Sequence, residues 1–213
     1  MTNLRNSWQR MWAGLGASGD GTATFAELLA RYREPHRKYH TLGHLEECIG
    51  WFEAASHLAG WPAEVEAALW FHDGVYDLGQ PGNEERSADW AHAALAAAGV
   101  PGDVAGRVAK LVLATKHTSV PASQDEQLLV DIDLSILGAG RKRFAQYEAQ
   151  IADEYSFVAE QSFRQKRRAL LQAFLDRPFI YATAYFRSAL EARARLNLAA
   201  AIAKLADPDD THS

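Results

Sequence analysis

Apolar residues recur at intervals of three and four along most of the chain, and no stretch alternates at period two over the length of a strand. This pattern predicts helices over 3–13, 23–33, 41–60, 62–76, 84–98, 102–116, 124–139, 141–157, 159–176 and 180–205. Pro35, Pro62, Pro101, Pro121 and Pro178 fall at predicted starts or breaks, where a missing backbone N–H costs least. Asn83 and Ser123 are predicted N-caps, and Glu126 stands three residues after Ser123 in a capping-box pattern. The segment DLGQPGN (77–83) is the clearest predicted loop. The expected architecture is all-α: a single-domain helical bundle over residues 1–205, followed by a disordered tail at 206–213.

Several polar residues interrupt the apolar faces of these helices. In WFHDGVYD (70–77), His72 shares a stripe with Val65, Ala68 and Leu69, and Asp73 sits about 100° further round. In EQLLVDIDLSILG (126–138), Asp133 lies in the middle of a face formed by Leu129, Ile132, Ile136 and Leu137. An ionised carboxylate there is costly unless it is paired, hydrogen-bonded or bound to a metal. Asp131, about 200° away, is expected to be exposed or to support a neighbouring ligand. In RKYHTLGH (37–44), His40 and His44 are four apart and share a face if one helix runs through both. His117 closes the predicted 102–116 helix, as a cap or as a site residue, and His92 among its alanines is expected to pack. Together these positions make a set of nitrogen and oxygen donors suited to a divalent ion in a helical bundle.

Composition narrows the function classes. With 213 residues and 48% hydrophobic content, the chain is long enough for a sizeable core. A net charge of -5 argues against binding polymeric nucleic acid, and the cluster Arg164, Lys166, Arg167 and Arg168 is expected to be a solvated helix face. Cys48 is the only cysteine, which excludes an intrachain disulfide and a zinc site built from several thiolates. The amino-terminal stretch lacks the apolar core of a signal peptide, and no apolar run approaches the ~20 residues needed to span a bilayer. A cytoplasmic protein with no membrane partner is expected.

Longer strings carry a resemblance. RKYHTLGHLEE, ALWFHDGVYD, NEERSA, LATKHT, LLVDIDLSILG, FLDRPFIYAT and ARARLNL, spread over residues 30–200, resemble one branch of the HD-domain superfamily, the predicted metal-dependent HD phosphohydrolases. The resemblance implies a divalent metal ion held by His44, His72, Asp73 and Asp133, with His40 a poorer match than His44 for the first histidine. Histidine and carboxylate donors suit Mn, Fe, Co, Ni or Zn, whereas Mg prefers an oxygen shell. Glu84, with Asp77 as the alternative, would orient or deprotonate the attacking water, and His40, Lys116, His117 and Arg167 would meet the substrate. The implied reaction is hydrolysis of a phosphate ester or anhydride of a small molecule, a nucleotide being one candidate. Two other readings stay open: a di-iron oxygenase, for which His92 and His117 would supply extra ligands, and a catalytically inactive HD ligand-binding protein.

Overall fold

The computed structural model describes residues 4–206, which are helical with no strand among them. The helices are α1 (Leu4–Gly14), α2 (Thr22–Arg31), α3 (Leu42–Ala55), α4 (Pro62–Phe71), α5 (Asn83–Ala97), α6 (Gly102–Ala114), α7 (Gln124–Asp133), α8 (Arg141–Glu154), α9 (Glu160–Leu175), α10 (Ala184–Phe186) and α11 (Ala192–Leu205). The all-α expectation therefore holds. The tail expected at 206–213 lies, from residue 207 on, outside the described residues. No helix among the described residues is long and apolar enough to cross a membrane. The chain divides into two compact units, the first ending at Asp133 and the second beginning at Leu134.

In the first unit α4 is the central helix, packed against α1, α3, α5, α6 and α7. Every residue from Glu64 to Phe71 is buried, so the single apolar stripe expected for this helix becomes burial on all sides. Its two acids are neutralised where they stand. Glu64 accepts from Arg107 Nε and Nη2 at 2.8 and 2.7 Å, and Glu66 accepts from Ser7 Oγ at 2.6 Å and Arg10 Nε at 3.1 Å. Trp70 stands edge-on to Trp8 with ring centroids 5.2 Å apart, and its indole N–H donates to Ser7 Oγ at 3.0 Å.

Where α4 stops matters for the site. It ends at Phe71 rather than running on to 76: His72 N still donates to Ala68 O at 2.9 Å, but Gly74 N turns back to Phe71 O at 2.8 Å. A Cβ at Gly74 would come within 2.9 Å of the Trp90 ring and 3.0 Å of Phe71 O, so only glycine fits this turn. The capping box at α7 forms reciprocally, Glu126 N donating to Ser123 Oγ and Ser123 N to Glu126 Oε2, both at 3.2 Å. Asn83 does not cap α5. Its Oδ1 accepts from Asp77 N at 2.9 Å and Arg86 Nη2 at 2.6 Å, tying the 77–83 loop together.

The second unit opens with a buried 3-10 turn, Leu134–Gly138, where a continuation of α7 was expected. Asn197 on α11 donates to the carbonyls of Leu137 and Ala139, and Arg193 to that of Gly138, which anchors the turn. The helix expected over 180–205 is interrupted. Glu191 accepts from the backbone N–H groups of Ile180 and Tyr181, holding that stretch outside the helix, and a π-turn at Arg187–Glu191 precedes α11.

Candidate metal centre

The first histidine is placed by a helix start. Thr41 Oγ1 accepts from Gly43 N at 3.2 Å and caps α3, which puts His44 in its first turn with the ring buried. Because α3 begins only at Leu42, His40 lies outside it, and the two histidines do not share a helical face. The His40 ring packs against Tyr76 at 4.2 Å, while the His44 ring meets His72 at 5.2 Å.

His72, Asp73 and Asp133 complete the cluster, all in the first unit. The two Nε2 atoms of His44 and His72 are 3.0 Å apart. Asp73 Oδ2 lies 3.5 Å from His44 Nε2 and 3.2 Å from His72 Nε2, and Asp133 Oδ1 lies 3.3 and 3.6 Å from the same atoms. Donor–metal bonds of about 2.0–2.2 Å place two donors on one ion about 3 Å apart at a right angle and about 3.4 Å apart at the tetrahedral angle. The observed separations fall around this range. His72 Nδ1 donates to Leu69 O at 2.8 Å, which fixes the ring and leaves Nε2 to face the cluster. A buried group of His44, Cys48, His72 and Asp133, with one donor atom from each lying within 4.8 Å of the others, could hold a metal ion.

The electrostatics ask for a cation. Burial opposes the charged form of His72, but the Asp73 and Asp133 carboxylates outweigh it and hold the imidazole well above its ordinary pKa. Burial likewise pushes the Asp133 carboxyl up, and His117, His44 and His72 more than reverse that, keeping it well below the usual carboxylate range. Asp73 is lowered by the same balance, with His72 and His40 as its chief charged neighbours. A proton on His72 fills the role of that cation, and a metal ion held by His44, His72 and Asp133 could fill it as well.

His117 backs the cluster from outside, its Nε2 donating to Asp133 Oδ2 at 3.1 Å. Its backbone is left-handed, with φ 55°, a strained conformation for a non-glycine residue. Lys116 pairs with Glu85, and Glu84, in the first turn of α5, adds to the field that raises the Lys116 pKa. Asp77 is engaged within its loop, accepting from Gly79 N at 2.9 Å. His92 is exposed on α5. Arg167 belongs to the second unit, where it is buried, paired with Glu148 and stacked 5.0 Å over the Tyr147 ring. It departs from the solvated face expected of its basic cluster. Asp131 is fully buried rather than exposed.

Two residues at the centre were not singled out by sequence reasoning. Cys48 Sγ is 3.7 Å from His44 Nε2, and its spacing of four from His44 was the available signal. Burial first, then the Asp133 and Asp73 carboxylates, push its thiol pKa well up. Arg37 has a fully buried side chain that donates to the carbonyls of Asp73 and Gly74 at 2.6 and 3.2 Å. Nothing in the local sequence distinguishes it from a surface arginine. Comparison of the chain with protein-family models, with curated proteins and with solved structures finds no match in any of the three.

Proposed function

We propose that this protein is a metal-dependent phosphohydrolase of the HD-domain type, acting on a phosphate ester or anhydride of a small molecule. The observation that carries this reading is the approach of the His44 and His72 Nε2 atoms to one another and to carboxylate oxygens of Asp73 and Asp133, at separations of 3.0–3.6 Å, with His72 Nδ1 already committed to Leu69 O. These four residues would hold the ion, and a transition metal suits their mixed nitrogen and oxygen donors better than Mg.

When bound, such an ion supplies Lewis-acid polarisation of a phosphoryl oxygen and lowers the pKa of water to within reach of neutral pH. The protein's own groups would do the rest. His117 keeps Asp133 oriented through its Nε2 contact. Lys116 and His40 would attract and orient the phosphate, and His40 would pass a proton to the leaving oxygen. Glu84, whose charge acts on Lys116, would take the proton of the attacking water, with Asp77 as the alternative.

The test is metal content per chain in protein purified without chelator, followed by a screen of phosphate esters and anhydrides with the loaded protein. About one transition-metal ion per chain, lost in Asp133→Ala together with phosphate release, is the expected result. About two irons per chain with no phosphate release would favour the oxygenase reading. Failure to bind Mn, Fe, Co, Ni or Zn would overturn the metal centre and leave a ligand-binding fold.

A further inference from the structure

We propose that Cys48 is a thiolate ligand of the same ion, so that the centre carries sulfur as well as nitrogen and oxygen donors. This rests on the reading of the cluster as a metal site and specifies what class of metal it takes. A buried cysteine in an ordinary core is a small hydrophobe. Cys48 differs in what surrounds it. It lies one turn beyond His44 on the same face of α3 and is almost wholly buried. Its Sγ stands 3.7 Å from His44 Nε2 and 3.8 Å from Nδ1. His44, His72 and Asp133 each direct one donor atom to within 4.8 Å of the thiol and of one another. The remaining polar atoms of two of them are committed elsewhere, His72 Nδ1 to Leu69 O and Asp133 Oδ2 to His117.

The distances fit coordination. Zn–S and Zn–N bonds of about 2.3 and 2.0–2.1 Å put sulfur and nitrogen about 3.1 Å apart at a right angle and about 3.6 Å apart at the tetrahedral angle. The observed 3.7 Å to His44 Nε2 matches the tetrahedral case. The widest separation in the group is at most 4.8 Å, so the donors draw together by up to about 1.2 Å to reach the tetrahedral spacing as the ion enters. Coordination forms the metal–sulfur bond and releases the S–H proton to solvent. A thiolate makes the centre softer than a histidine–carboxylate set, which favours zinc, iron(II) or cobalt(II) over magnesium and manganese.

Cobalt(II) separates this proposal from the one beneath it. Protein stripped with chelator and reloaded with Co(II) shows visible ligand-field bands if the ion is bound at all, and a near-ultraviolet charge-transfer band only if sulfur is bound to it. The sequence has one cysteine, so in a monomeric preparation that band belongs to Cys48. Both bands are expected in the wild-type protein. Cys48→Ser is expected to keep the visible bands, lose the charge-transfer band and bind Co(II) at least about tenfold more weakly. Visible bands without the charge-transfer band in the wild-type protein would overturn the thiolate ligand and leave the metal centre standing. Absence of both would overturn the two together. The wild-type spectrum decides even if Cys48→Ser does not fold.

Discussion

Arg37 Nη1 donates to the backbone carbonyl of Asp73 at 2.6 Å, so a fully buried cation grips the main chain of a residue whose side chain meets both cluster histidines. Its other donors reach Gly74 O at 3.2 Å, His40 O at 3.3 Å and Glu34 Oε2 at 3.1 Å, and the guanidinium stacks between Tyr32 and Tyr76 at 5.3 and 5.4 Å. One side chain thereby locks the 37–40 segment to the turn that presents Asp73. Lysine cannot reproduce this planar fork. Arg37→Lys is expected to lose about 2–4 kcal/mol of stability by denaturant unfolding of the metal-free protein, and to bind metal more weakly. Unchanged values in both measurements would remove this positioning role.

The cluster also sets how stability responds to pH. In the metal-free protein the His72 pKa is raised above 6.5, so its contribution is fully present below 6.5 and is lost as pH rises through the raised value. The Asp133 pKa is lowered below 3.8, so its contribution is present above 3.8 and is lost as pH falls through the lowered value. A metal ion must displace the His72 proton, and its benefit grows as that proton becomes easier to remove. The gain in melting temperature on loading metal is therefore expected to be larger at about pH 8 than at about pH 6. A gain that is equal at both, with the ion in large excess, would contradict this account.

His117 places function and backbone comfort in opposition. Its left-handed φ of 55° costs about 1 kcal/mol, which glycine would recover. Its imidazole is what holds Asp133 Oδ2. His117→Gly is expected to match the wild type in stability to within about 1 kcal/mol while weakening metal binding by roughly tenfold or more. Thermal unfolding and a metal titration read the two effects separately, and wild-type affinity in the variant would dismiss the ring as a support for Asp133.

Two glycines give opposite expectations. Gly74→Ala drives a Cβ into Trp90 at 2.9 Å in the turn beside Asp73, and is expected to cost about 1–3 kcal/mol and to impair metal binding. Gly106→Ala, inside α6 with nothing within 4 Å of the added atom, is expected to stabilise by roughly 0.5–1 kcal/mol. Denaturant midpoints would show the pair diverging, and parallel shifts would contradict the packing at Gly74.

What the sequence determined by itself was local. Periodicity of three and four marked the helices, prolines marked their limits, and Ser123 with Glu126 marked the start of α7, because each signal acts within a few residues of chain. Helical phase also singled out Asp133 as a carboxylate on an apolar face. Of its two readings for Asp131, exposure fails, since phase says which residues oppose one another but not that a helix such as α7 is covered on both sides. Only the tertiary structure decided which groups converge. The turn after α4 at Gly74 has no room for a Cβ because Trp90 packs against it, and the separation of His40 from His44 depends on α3 beginning at Leu42. The approach of His117 and Arg37 to the centre depends on packing between segments far apart in sequence, and no local pattern encodes such contacts.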